Sequence, residues 1–184
     1  MTKNKIFITG CAKTGTTLVR RLFNAFSLNV YNHQEISLGD FIKSDFEVGK
    51  RTGEHVFSNT LPPQVISHQL DLIKKNNIKV INITRNKTDT LNSSDGYVTE
   101  ERYQSCINQA STYPEYITYT LDYKDLISTP DSVQIDLAQI FNLPIHFKWS
   151  DFPNWFDPHI SCQEFKGVPW NSKEYRIRKI GESK

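Results

Sequence analysis

The sequence predicts an α/β protein, a three-layer α/β/α arrangement around a central parallel sheet. Three observations predict it. Short apolar runs such as Ile6-Phe7-Ile8-Thr9 and Val80-Ile81-Asn82-Ile83 read as buried strands. Runs with apolar residues at helical spacing stand between them, and glycine, proline and asparagine mark the turns. Strand and helix in alternation call for a parallel sheet, because a parallel pair needs a crossover long enough to hold a helix.

The elements follow in order. A strand at 4–9 leads into a helix at 15–27, whose Leu18, Val19, Leu22, Phe23 and Phe26 recur at helical spacing. A second strand is expected at 28–32. The polar stretch 33–60, punctuated by Gly39, Gly49 and Gly53, is read as a mobile ligand-binding region. Pro62 and Pro63 open a helix at 63–76, with Val65, Ile66, Leu70 and Ile73 on one side. A strand at 78–84, helices at 87–94 and 99–111, a strand at 116–120 and a helix at 130–142 complete the core. Residues 145–184, which carry Phe147, Trp149, Phe152, Trp155, Phe156, Phe165 and Trp170 among prolines, read as an irregular aromatic wrap that caps it.

Composition sets bounds on this picture. The 184 residues suit a single domain, 1–184, able to bury its own core. A net charge of +2 gives no case for nucleic acid or a membrane surface as partner. Cys11, Cys106 and Cys162 have no metal-ligand spacing, and scattered thiols suit a reducing compartment. The opening residues enter a strand at once, which leaves no predicted signal peptide or anchor and points to a soluble cytoplasmic protein.

The first turn carries the chemistry. Gly10-Cys-Ala-Lys13-Thr14-Gly15-Thr16-Thr17 joins a buried strand to a helix N-terminus, where unpaired N–H groups and the helix dipole attract an anion. Gly10 and Gly15 allow a tight backbone curl, and Thr14, Thr16 and Thr17 add hydroxyl donors. The pattern differs from the nucleotide loop G-x-x-x-x-G-K-[ST] in having Thr16 where the lysine belongs and Lys13 inside the loop. That displacement counts against a magnesium triphosphate and suits a smaller group that transfers without metal. The plain alternative is a glycine turn with no ligand.

A second signal follows the strand at 78–84. Arg85 stands at its carboxyl end, where ligands gather in open α/β sheets, and Ser93 lies two turns into the next helix. Together they would grip a second phosphate. Asp89 reads as a first-turn acid, and a surface ion pair is the plain alternative for Arg85.

These residues resemble the sulfotransferases that use 3′-phosphoadenosine 5′-phosphosulfate. The 5′-phosphosulfate loop of that family is similar to Lys13-Thr14-Gly15-Thr16-Thr17-Leu18, and its 3′-phosphate site to Arg85 and Ser93. The segment from Tyr119 through Tyr123, Asp125 and Leu126 to Pro144 is similar to a third family element, so the resemblance spans 4 to 144. It implies a nucleotide-binding P-loop fold and transfer of a sulfuryl group to a hydroxyl, with an amine as second choice, of a carbohydrate or other small acceptor. Lys13 would bridge the sulfuryl group and its leaving phosphate. Thr14, Gly15, Thr16 and Thr17 would bind the 5′-phosphate, and Arg85 and Ser93 the 3′-phosphate. No metal is implied. The tail segment Arg178-Lys179-Ile-Gly181 faintly resembles the family's C-terminal basic element.

An attacking hydroxyl must lose a proton, and the candidates for the base are Glu35, His55 and His33. Glu35 leads, because its distance from Lys13 resembles that of the glutamate base in the carbohydrate-acting branch. Glu54 beside His55 would orient that histidine. Ser58 and Thr60 stand where the small-molecule branch carries a lysine and a histidine, which points away from that branch. Two rivals stay open: a nucleotide-dependent kinase with an altered loop, and a non-catalytic nucleotide-binding relative.

Overall fold

The computed structural model of the protein describes residues 5–31, 35–53, 61–146 and 148–151. Four strands form one sheet: β1 (Ile6–Gly10), β2 (Val48–Lys50), β3 (Lys79–Thr84) and β4 (Tyr119–Asp122). Their order is β2-β1-β3-β4, and all three pairings are parallel. The chain therefore leaves β1 for one edge of the sheet and leaves β3 for the other. That is the topological switch where a crevice opens at the carboxyl ends of the strands.

Seven α-helices among the described residues cover the sheet: α1 (Thr16–Leu22), α2 (Leu38–Lys43), α3 (Pro63–Lys75), α4 (Lys87–Asn92), α5 (Glu100–Thr112), α6 (Tyr123–Ser128) and α7 (Pro130–Phe141). Side chains of a strand alternate between faces, so β1 sends Ile6 and Ile8 one way and Phe7 the other. Ile6, Ile8, Ile81, Ile83 and Leu121 pack with α1, α6 and α7. Phe7 and Val80 pack with Leu38 and Phe41 of α2 and Ile73 of α3. Cys11 and Ala12 meet Val98 and Cys106, the latter on α5, in a smaller cluster beside them. Both sheet faces are thus covered and the fold is α/β/α, as its apolar strands demand. Among the described residues no helix is long and apolar enough to cross a membrane.

The structure corrects the expected elements between α1 and α3. The strand expected at 28–32 is reduced to a single parallel pairing of Val30 with Val48. The strand that pairs with β1 is Val48–Lys50, inside the stretch expected to be polar and mobile, and α2 lies there too. Gly49 hid it: the residue leaves Val48 as the strand's one apolar side chain, yet no side chain fits there, since a Cβ would lie 2.7 Å from the Phe41 ring. Lys5 fixes the same region by donating to the carbonyls of Phe41, Ser44 and Phe46 at 2.7, 2.7 and 3.1 Å. The helix expected at 15–27 tightens after Leu22 into a 3₁₀ turn, Phe23–Phe26. Val65 of α3 faces solvent, while Ile66 and Ile73 are buried. Of the aromatic wrap, Trp149 is buried edge-on against Phe26; Phe147 and 152–184, with the basic tail, lie outside the described residues.

Phe23 is fully buried in the larger cluster, in contact with Phe26 and Phe141. Phe23→Ala is expected to lower unfolding free energy by about 3–5 kcal/mol in urea titrations. Ile135→Ala, on the exposed face of α7, should change it by no more than about 0.5 kcal/mol.

Candidate anion-binding site

The carboxyl ends of β1 and β3 leave the sheet side by side, with Gly10 paired to Ile83. Gly10 has φ 142°, and a Cβ on it would strike the Ile83 carbonyl oxygen at 2.4 Å. Only glycine lets β1 end this close to β3. Cys11 and Ala12 then turn inward and are buried, and Lys13 takes a left-handed conformation, φ 68°, with its side chain exposed.

Thr14 closes the turn. Its hydroxyl donates to the Cys11 carbonyl at 2.7 Å and its N–H donates to the same oxygen at 3.3 Å. The Thr14 hydroxyl proton thus shapes the loop. Gly15, φ 100°, is the N-cap of α1 and has no side chain to bond the first-turn N–H groups. Those groups are left for an external acceptor. Thr16 is buried, and Thr17 accepts a hydrogen bond from Lys50 Nζ at 3.1 Å.

Arg85 meets this loop directly. Its Nη1 donates to the Lys13 carbonyl at 3.1 Å and to Ser93 Oγ at 3.3 Å. Ser93 is the C-cap of α4, whose start is fixed by Asn86 accepting from the N–H groups of Thr88 and Asp89. Asp89 is a first-turn acid, as expected. The guanidinium lies 4.6 Å from the centre of the Tyr123 ring, and the Tyr103 hydroxyl donates to the Arg85 carbonyl at 2.8 Å. Arg85 Nε is buried with no hydrogen-bond partner. Arg85 also lines a cleft of about 520 Å³ together with Asp89, Asp122, Tyr123 and Ile127.

Glu35 approaches from the β2 side. Its carboxylate lies 3.6 Å from Lys50 Nζ and accepts from the Thr52 N–H at 3.1 Å. The same lysine touches Thr17, so Glu35 stands one residue removed from the loop. Lys50 was missed in the sequence reading. It ends β2 and is only 7% exposed, unusual for a lysine. No local signal marked it, because Val48 is the single apolar side chain of the strand that it ends. His33, Glu54, His55, Ser58 and Thr60 lie outside the described residues.

The structure thus brings together Lys13, Thr16, Thr17, Arg85 and Ser93, with Glu35 linked through Lys50. Compared with protein-family models and with curated proteins, the chain matches none.

Burial pushes the Tyr123 phenol above its ordinary value, and the Arg85 charge works against that rise. Burial also raises Tyr103, helped by Cys11 and Asp122 and opposed by Lys87. A phenol raised on folding keeps its proton after the unfolded chain has lost one, so its stabilisation is full below the unfolded value and fades above it. Stability should hold up to about pH 10 and then fall in urea titrations at stepped pH, less steeply in Tyr103→Phe.

Proposed function

We propose that the protein is a sulfotransferase of the P-loop type. It takes a sulfuryl group from 3′-phosphoadenosine 5′-phosphosulfate and passes it to a hydroxyl, secondarily an amine, of a carbohydrate or other small acceptor. The observation that carries the reading is the contact of Arg85 with both the Lys13 carbonyl and the Ser93 hydroxyl. Two phosphate-type signals far apart in sequence meet at one crevice, as a nucleotide with phosphates at both its 3′ and 5′ positions requires.

The details fit such a ligand. Gly15 leaves first-turn N–H groups open to the 5′-phosphate, and Arg85 with Ser93, joined through Nη1, would take the 3′-phosphate. The neighbouring cleft gives room of the size a nucleoside needs. Cations reach the loop from both flanking strands, Lys50 from β2 and Arg85 from β3.

The roles follow from charge. As the acceptor oxygen bonds to sulfur, it gives its proton to a base, and the bond from sulfur to the phosphate oxygen breaks. Negative charge grows on that oxygen, where Lys13, with Lys50 bonded to Thr17 of the same loop, would lower the barrier most in the transition state. Glu35 is the base we favour, since its link through Lys50 keeps a carboxylate next to the loop. Buried thiols at Cys11 and Cys106, held in no disulfide, suit a reducing, cytoplasmic setting.

Adenosine 3′,5′-bisphosphate should raise the melting temperature in EDTA, with about 2.7 kcal/mol of stabilisation at a hundredfold excess over Kd. Release of that bisphosphate with a panel of sugars and phenols should fall by about 10²–10³ in kcat for Lys13→Ala. Glu35→Gln should lose turnover and keep nucleotide affinity. Full activity in Lys13→Ala contradicts the mechanism; stabilisation by magnesium ATP alone favours a kinase, and binding without turnover a non-catalytic relative.

A further inference from the structure

Tyr123 touches both halves of the site, the loop at Gly15 and the guanidinium of Arg85. It is the first residue of α6, directly after β4, and Asp122 fixes that start by accepting from the Lys124 N–H at 2.7 Å. Its ring covers Gly15 so closely that a Cβ there would lie 2.5 Å from Cδ2 and 2.8 Å from Cε2. The same ring carries the Arg85 guanidinium at 4.6 Å from its centre, within the range of a cation–π contact.

The contacts close a circle. Lys13 accepts from Arg85, Arg85 lies over Tyr123, Tyr123 packs on Gly15, and Gly15 is two residues beyond Lys13 in the same loop. Arg85 therefore holds the loop by a carbonyl on one side, and the ring holds it by the glycine on the other. One ring is thus in contact with both the loop and the arginine.

We infer that Tyr123 is a positioning residue that couples the phosphate loop to Arg85, so that binding at one anion position sets the geometry of the other. The ring does this and the hydroxyl does not: the contacts to Gly15 and Arg85 are made by ring atoms. The geometry stands without a ligand, while the consequence for binding rests on the nucleotide reading proposed above.

Two arms of one experiment separate these. In the ligand-free protein, NMR of the Arg85 side chain should show ring-current displacement of its protons, and amide exchange should show protection of the Thr14 N–H, which is bonded to the Cys11 carbonyl. Tyr123→Phe keeps both and Tyr123→Leu loses both. Unchanged signals in Tyr123→Leu, or lost signals in Tyr123→Phe, overturn the inference. In the second arm, affinities for adenosine 3′,5′-bisphosphate and adenosine 5′-monophosphate are measured in each variant. The preference for the bisphosphate should drop roughly 3- to 10-fold in Tyr123→Leu and persist in Tyr123→Phe. A preference unchanged in Tyr123→Leu overturns the coupling. A wild type with no preference overturns the nucleotide reading instead, and the first arm still judges the hold of Tyr123 on the loop.

Discussion

The hydrogen bond from Arg85 to the Lys13 carbonyl is the tie on which the site depends. It joins residues far apart in sequence that follow two adjacent strands, β1 and β3, themselves about 4.8 Å apart in the hydrogen-bonding direction. Gly10 makes the approach possible, because any side chain there would strike the Ile83 carbonyl and force the two strand ends apart. Everything downstream follows from that closeness. The loop turns inward on Cys11 and Ala12, Thr14 locks it, and Gly15 presents the start of α1 under the Tyr123 ring.

The site also gives up stability. A buried donor without a partner, such as Arg85 Nε, costs about 1–3 kcal/mol. A lysine nearly enclosed at the end of β2 must be compensated by Thr17 and Glu35. Glycine as N-cap forgoes the side-chain bond a serine would make there. These features cluster at the carboxyl ends of the strands, while the sheet faces beneath them are apolar and well covered. An anion in the crevice would give the open donors their acceptor.

Legibility in the sequence followed the strength of local pattern. β1, β3, α3, α5 and α7 announce themselves by apolar period and by proline, and each lies within a few residues of its expected bounds. β2 did not, because Val48-Gly49-Lys50 has one apolar side chain; its pairing with β1 and its packing under Phe41 are tertiary facts. Leu28 to Tyr31 had the better strand pattern, yet only Val30 pairs. For the site, Lys13, Arg85 and Ser93 were readable as motifs, and their meeting was not, since it depends on strand order. Lys50 and the double duty of Tyr123 were invisible for the same reason.

In the proposed function one doubly phosphorylated ligand engages both strand ends at once. Amide chemical-shift mapping during titration with adenosine 3′,5′-bisphosphate, in the presence of EDTA, tests this most directly. Resonances of 13–17 and those of Arg85 and Ser93 are expected to move together, with one shared dissociation constant. Shifts confined to one group, or shifts in both that follow different constants, would contradict it.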